Sequence, residues 1–116
     1  MLAGECECTF LLWENRGTED ADVLINCTSV GMHPDMDETP FLDNWLHEST
    51  LVFDTVYNPE NTLLLKQARE RGCPTASGVE MFVRQAARQF EMFTGLTAPL
   101  DYMVETMRRV MSIDRR

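Results

Sequence analysis

Three short apolar runs, Val23-Leu-Ile-Asn26, Leu51-Val-Phe-Asp54 and Cys73-Pro-Thr-Ala76, recur along this chain with loop or helix-patterned segments between them. Strands so short cannot stand alone, and strands joined through long crossovers pair in parallel. That spacing restricts the chain to an α/β fold built from βα units. The expected architecture is a partial doubly wound, Rossmann-like parallel sheet with C-terminal helices. Val23-Leu-Ile-Asn26 reads as a parallel strand buried on both faces. Residues 5–12, Glu-Cys-Glu-Cys-Thr-Phe-Leu-Leu, alternate and then turn apolar, which predicts a further strand. Trp13-Glu-Asn-Arg-Gly17 supplies the turn chemistry that ends it.

The helical segments are equally short. Residues 41–47 have the length of a brief helix after the proline-bounded loop His33-Pro-Asp-Met-Asp-Glu-Thr-Pro40. From about Asn61, Leu63, Leu64 and Ala68 fall at helical spacing, and Lys66, Arg69 and Arg71 give a cationic end stopped by Gly72. Residues 79–93 place Val79, Phe82, Val83, Ala86, Phe90 and Phe93 at helical intervals before Gly95. Pro99 then opens a last amphipathic helix carrying Leu100, Met103, Val104, Met107, Val110 and Met111.

With 116 residues, 44% hydrophobic and 25% charged, the chain fits one domain with its own core. Ten basic residues against 19 acidic ones leave a net charge of -9, which repels phosphate backbones and argues against a nucleic-acid partner. No run approaches the ~20 apolar residues of a membrane span. Gly4, Glu5 and Glu7 break any charged-then-apolar leader, so the expected localisation is cytoplasmic. Cys6, Cys8, Cys27 and Cys73 form no C-x-x-C pair, and His33 and His47 lack metal-site spacing from them; no metal is expected.

In parallel sheets of this kind ligands bind beyond the carboxyl ends of the strands. Three conspicuous motifs fall there: Asn26-Cys-Thr-Ser-Val-Gly-Met32, Asp54-Thr-Val-Tyr-Asn-Pro59 and Gly78-Val-Glu-Met-Phe-Val-Arg-Gln85. Gly78, at a strand-to-helix corner, allows close backbone approach. Met81 and Gln85 share one helix face, pairing a soft apolar contact with an amide that both donates and accepts. Each motif has a plainer reading. Thr28 and Ser29 satisfy a turn about as readily as they meet a ligand. Tyr57 is equally a half-buried surface aromatic, Met81 core filler, Gln85 a solvated helix residue, and Asp54 a cap for local backbone.

Taken together, these motifs resemble the C-terminal part of shikimate dehydrogenase, the NADP-dependent oxidoreductase of aromatic amino-acid biosynthesis. The resemblance runs over about residues 8–112 and also rests on Ala21-Asp22 ahead of the first motif, Thr62, and Phe93-Thr-Gly95. The wording Ser77-Gly-Val-Glu-Met-Phe and Gln89-Phe-Glu-Met-Phe-Thr-Gly95 is most similar to modules fused to a dehydroquinate dehydratase. The resemblance implies that Cys27, Thr28, Thr55, Gly78 and Met81 meet NADP, with Gly78 under the carboxamide and Met81 on the nicotinamide ring. It implies that Tyr57 and Gln85 meet shikimate or 3-dehydroshikimate. Tyr57, Met81 and Gln85 are then expected to face a common hollow.

Parts of that family pattern have no counterpart here. The chain contains no Gly-x-Gly-x-x-Gly loop, no Asn-Arg-Thr clamp for the extra phosphate, and no substrate domain with its lysine and aspartate. Glu14-Asn-Arg-Gly17 lacks the threonine and reads as a turn; Lys66, the only lysine, reads as a solvated end charge. The expectation is therefore a single domain over 1–116 that is the C-terminal portion of an NADP-binding domain and is inactive alone, with no catalytic residue of its own. The helices over about 79–112 would normally meet the substrate domain. An unpaired strand edge predicts a homodimer or higher assembly. The rival expectation is a non-catalytic half-Rossmann module that binds a protein partner, or itself, through that open edge.

Overall fold

The computed structural model describes residues 6–114. Its sheet has three parallel strands in the order β1-β2-β3: β1 Val23–Asn26, β2 Leu51–Asp54 and β3 Thr75–Ala76. Registers run from Val23 opposite Leu51 to Asn26 opposite Asp54, and from Val52 opposite Thr75 to Phe53 opposite Ala76. The third strand is shorter than its sequence run, because Pro74 has no N–H; its carbonyl still accepts from the Val52 N–H at 2.8 Å. No helix is long and apolar enough to cross a membrane among the described residues.

Helix α1, Leu63–Glu70, is capped by Thr62, whose hydroxyl accepts from the Leu65 N–H. It buries Leu64, Leu65 and Ala68 against Val52, Cys73, Phe41 and Leu46. Residues 41–47 form only a single 3-10 turn, Asp43–Trp45. Trp45 there meets Phe41 edge-on, ring centroids 5.1 Å apart. Burying this cluster is the main hydrophobic contribution of the sheet half.

Helix α2, Gly78–Thr94, starts at the Ser77 cap and stops at Gly95. Helix α3, Leu100–Asp114, packs on it through Val79, Val83 and Met111, with Leu100, Met103, Val104 and Met107 partly buried around them. A charged fork joins α3 to the sheet half: Arg108 donates Nε and Nη2 to the Glu60 carboxylate at 2.8 to 3.2 Å. That contact raises the Arg108 pKa above its ordinary value.

Two expectations are corrected. Within residues 5–12, those after Cys6 have no regular structure and no ladder partner, while Glu5 lies outside the described residues. Alternation alone cannot make a strand where no neighbouring edge accepts its hydrogen bonds, and Phe10 stands 97% exposed. Nor is β1 buried on both faces. Leu24 and Asn26 face the α1 side, but Val23 and Ile25 are each 49% exposed because no element covers their face.

Candidate functional site

The site grows from the carboxyl ends of β1 and β2, where a buried polar network fixes the two exit loops. Asp54, fully buried, accepts from Asn26 Nδ2 at 3.0 Å, from the Val56 N–H at 3.0 Å and from Thr62 Oγ1 at 2.7 Å. Every partner a buried carboxylate needs is thus supplied by the chain itself. This answers the question that the sequence left open: Asp54 is a structural acceptor that ties β1, β2 and the cap of α1 together.

Asn26 is the other half of the network. Its Oδ1 accepts from the Thr28 N–H at 3.0 Å and from Thr28 Oγ1 at 2.7 Å, while Thr28 Oγ1 accepts from the Val30 N–H. The Asn26 carbonyl accepts from the Thr55 N–H and from Thr55 Oγ1 at 2.8 Å. Both threonine hydroxyls therefore spend their proton inside the loops. What they present outward is backbone, methyl groups and lone pairs that can only accept, one on Thr28 and two on Thr55.

Between the loops lies an open hollow of about 410 Å³, lined by Cys27, Thr28, Ser29, Met32, His33, Thr55, Val56, Tyr57 and Asn58. Its far rim is closed by the His33 N–H, which donates to the Asn58 carbonyl at 2.9 Å. Four of the seven expected site residues, Cys27, Thr28, Thr55 and Tyr57, come together here. His33, Met32 and Asn58 were not singled out for it from sequence. Met32 and Asn58 did lie within the two quoted strand-exit motifs, whereas His33 was marked only by its place just beyond the first of them.

Gly78 sits against the same loop from the α2 side. A Cβ there would lie 2.6 Å from the Thr55 carbonyl oxygen and closer still to that of Val56. The close approach that demands glycine is made by the chain's own backbone. One turn on, Phe82 stacks on Tyr57 with ring centroids 4.8 Å apart and a tilt of 37°. Met81, half-buried, and Gln85, exposed, follow on α2 but are not among the residues lining the hollow. Of the three side chains expected to face a common hollow, only Tyr57 lines it; the thioether and the amide stand on the adjoining helix.

The model of the shikimate 5'-dehydrogenase C-terminal domain matches residues 78–108, the length of α2 and most of α3. A chloroplastic bifunctional 3-dehydroquinate dehydratase/shikimate dehydrogenase of Arabidopsis thaliana is 50% identical over 96 residues, covering 83% of this chain and 16% of that protein. The NADP(+) shikimate dehydrogenase of Methanosarcina mazei is also 50% identical, over 115 residues, covering 91% of this chain. The chain belongs with the C-terminal part of the shikimate dehydrogenase family.

It spans 41% of the archaeal enzyme's length, well under half of either relative. The fold agrees: a shikimate dehydrogenase solved in complex with NADP+ superposes with a TM-score of 0.74 at 33% identity, over 78% of this chain and 32% of that one. The parallel sheet and its helices are thus those of the family's α/β fold.

Proposed function

We propose that this chain supplies the nicotinamide-side and part of the substrate-side wall of an NADP-dependent shikimate dehydrogenase. The observation that carries the reading is the hollow between the β1 and β2 exit loops, formed in a chain whose relatives bear that name. At about 410 Å³ it falls within the ~300–1,000 Å³ range of small-molecule sites and suits a flat ring with its sugar. Cys27 and Thr28 would line the cofactor side, and Thr55 would meet it through backbone, since its hydroxyl is engaged with Asn26. Gly78 and Met81 would hold the ring, while Tyr57 and Gln85 would hydrogen-bond the hydroxyl-rich substrate, shikimate or 3-dehydroshikimate. When bound, NADP supplies the hydride chemistry of an oxidoreductase.

On its own the chain is proposed to turn nothing over. No lysine or carboxylate, the pair that the family resemblance assigns to proton transfer, lines the hollow; the acid/base side chains there are Cys27, His33 and Tyr57. Residues 78–114 are proposed to pack, in the working enzyme, on a substrate-binding domain. Both the exposed face of β1 at Val23 and Ile25 and its free edge support association with a second copy. A non-catalytic half-Rossmann module would use the same edge to bind a protein partner or itself.

The test is an NMR titration of NADP and shikimate against the chain, alongside an assay of shikimate-dependent NADP reduction. Weak binding that moves the amides of residues 27–33 and 55–58, with no turnover, is expected. Turnover by the chain itself sinks the proposed inactivity. Tight binding elsewhere sinks the proposed wall.

A further inference from the structure

A second hollow shares Cys27 and Thr28 with the first but is otherwise walled differently, by Trp13, Arg16, Ile25, Pro40 and Phe41 among others. Its volume is about 170 Å³, room for a single ring rather than for a nucleotide. The walls are apolar or neutral except for one ionic side chain, and that one is a cation. The Arg16 guanidinium carbon lies over the Trp13 ring, 3.9 Å from its centroid, and over the Trp45 ring at 5.2 Å.

Several contacts hold this guanidinium in place. Its Nε donates to the Pro40 carbonyl and its Nη1 to the Trp13 carbonyl at 2.6 Å. Trp45 in turn is seated on the main core through Phe41 and lies so close to Gly17 that a Cβ there would overlap its ring. Two of the five guanidinium donors are engaged, both with neutral carbonyls, which leaves three unused. In a chain of net charge -9, no ion pair among the described residues involves Arg16. A half-buried cation in no such ion pair, beside an indole and an apolar slot, has the chemistry that recognises a flat ring bearing one negative charge, although Glu19 and Asp20 line a further hollow with it.

We infer that this hollow is a binding site for a small planar anion, a single ring carrying a carboxylate or phosphate. Arg16 takes the anionic group, and Trp13, Ile25 and Pro40 take the ring. The site shares Cys27 and Thr28 with the nicotinamide wall proposed above but takes its anion contact from Arg16, which lines only this hollow of the two, so either reading can fail without the other.

The experiment titrates the chain with benzoate, phenyl phosphate and neutral benzamide, following tryptophan fluorescence and the amides of residues 24–28. Benzoate or phenyl phosphate is expected to saturate with a Kd on the order of 1 mM, in keeping with the limited free energy available per ligand atom. Which of the two binds tighter identifies the head group. Benzamide and the Arg16→Gln chain should each bind at least about tenfold more weakly, because the charge-assisted bond is gone. The inference is overturned if neither anion moves these signals, if benzamide binds as well as benzoate, or if folded Arg16→Gln binds unchanged. Should Arg16→Gln fail to fold, the ratio of benzoate to benzamide binding on the unaltered chain decides alone.

Discussion

The sheet half and the α2–α3 pair of this protein are stabilised in different ways. In the sheet half, Leu64, Leu65, Val52 and Ala68 are almost fully shielded, and a satisfied polar network of Asp54, Asn26 and Thr62 lies beside them. In the helix pair the shielded hydrophobic residues shrink to Val79, Val83, Ala87 and Met111, while Phe82, Phe90, Phe93, Tyr102 and Val110 stay open to solvent. The two apolar clusters share no member, and three joints connect them: Gly78 on the Thr55 and Val56 carbonyls, Phe82 on Tyr57, and Arg108 on Glu60. An element that carries half a site can be well made and still leave apolar surface for something else to cover. Amides of α2 and α3 should accordingly exchange with solvent faster than those of β2 and α1.

The largest expected effect falls on the sheet half. Asp54→Ala strands three donors in a dry interior and should lower unfolding free energy by roughly 3–5 kcal/mol. Urea denaturation followed by circular dichroism measures it, and a loss under about 1 kcal/mol would mean that the network is not the keystone described here. Next come paired truncations that weigh one half against the other. Leu64→Ala should cost about 3 kcal/mol, against about 1–2 kcal/mol for Val83→Ala, since the smaller cavity lies in the less enclosed cluster. Equal losses would erase the contrast between the halves.

Gly78→Ala tests the joint itself. Its added methyl meets backbone carbonyls that cannot move aside independently, so roughly 2 kcal/mol of destabilisation is expected. Loss of the Phe82 and Tyr57 ring-current shifts in the NMR spectrum should accompany it. The smallest effect concerns Cys73. Burial pushes its thiol pKa above the ordinary 9.0, with nearby Arg71 opposing. A raised pKa in the folded state means that this contribution is complete below pH 9 and fades as pH climbs through the folded value. Compared with Cys73→Ala, the unaltered chain should lose a little more stability over that alkaline window, read by urea denaturation below and above pH 9. Cys6, Cys8 and Cys27 are exposed, so a thiol reagent at neutral pH should label them well before Cys73.

Much of this layout can be read from local pattern. The bounds of β1 and β2, the Gly95 stop of α2 and the start of α3 after Pro99 follow from apolar period and terminator residues, because each depends on neighbours within a turn or two. Residues 6–12 show where that reasoning fails. Their alternation is as strand-like as that of β2, yet a strand exists only if a second backbone receives its hydrogen bonds. The hollow was legible in outline, since Thr28, Thr55 and Tyr57 all follow strand ends. His33 and Asn58 were not, because they reach it only through a bond between two loops.

By itself the sequence determined the βα order, the family, and which residue types stand at the strand exits, since these rest on spacing along one chain. Tertiary structure alone decided what those residues are free to do. Asp54, Thr28 and Thr55 were assigned to internal bonds by partners up to 29 residues away, and Gly78 to the backbone of another loop. The physical reason is that a polar group's role is set by which donors and acceptors remain unsatisfied after folding, and only assembled loops determine that.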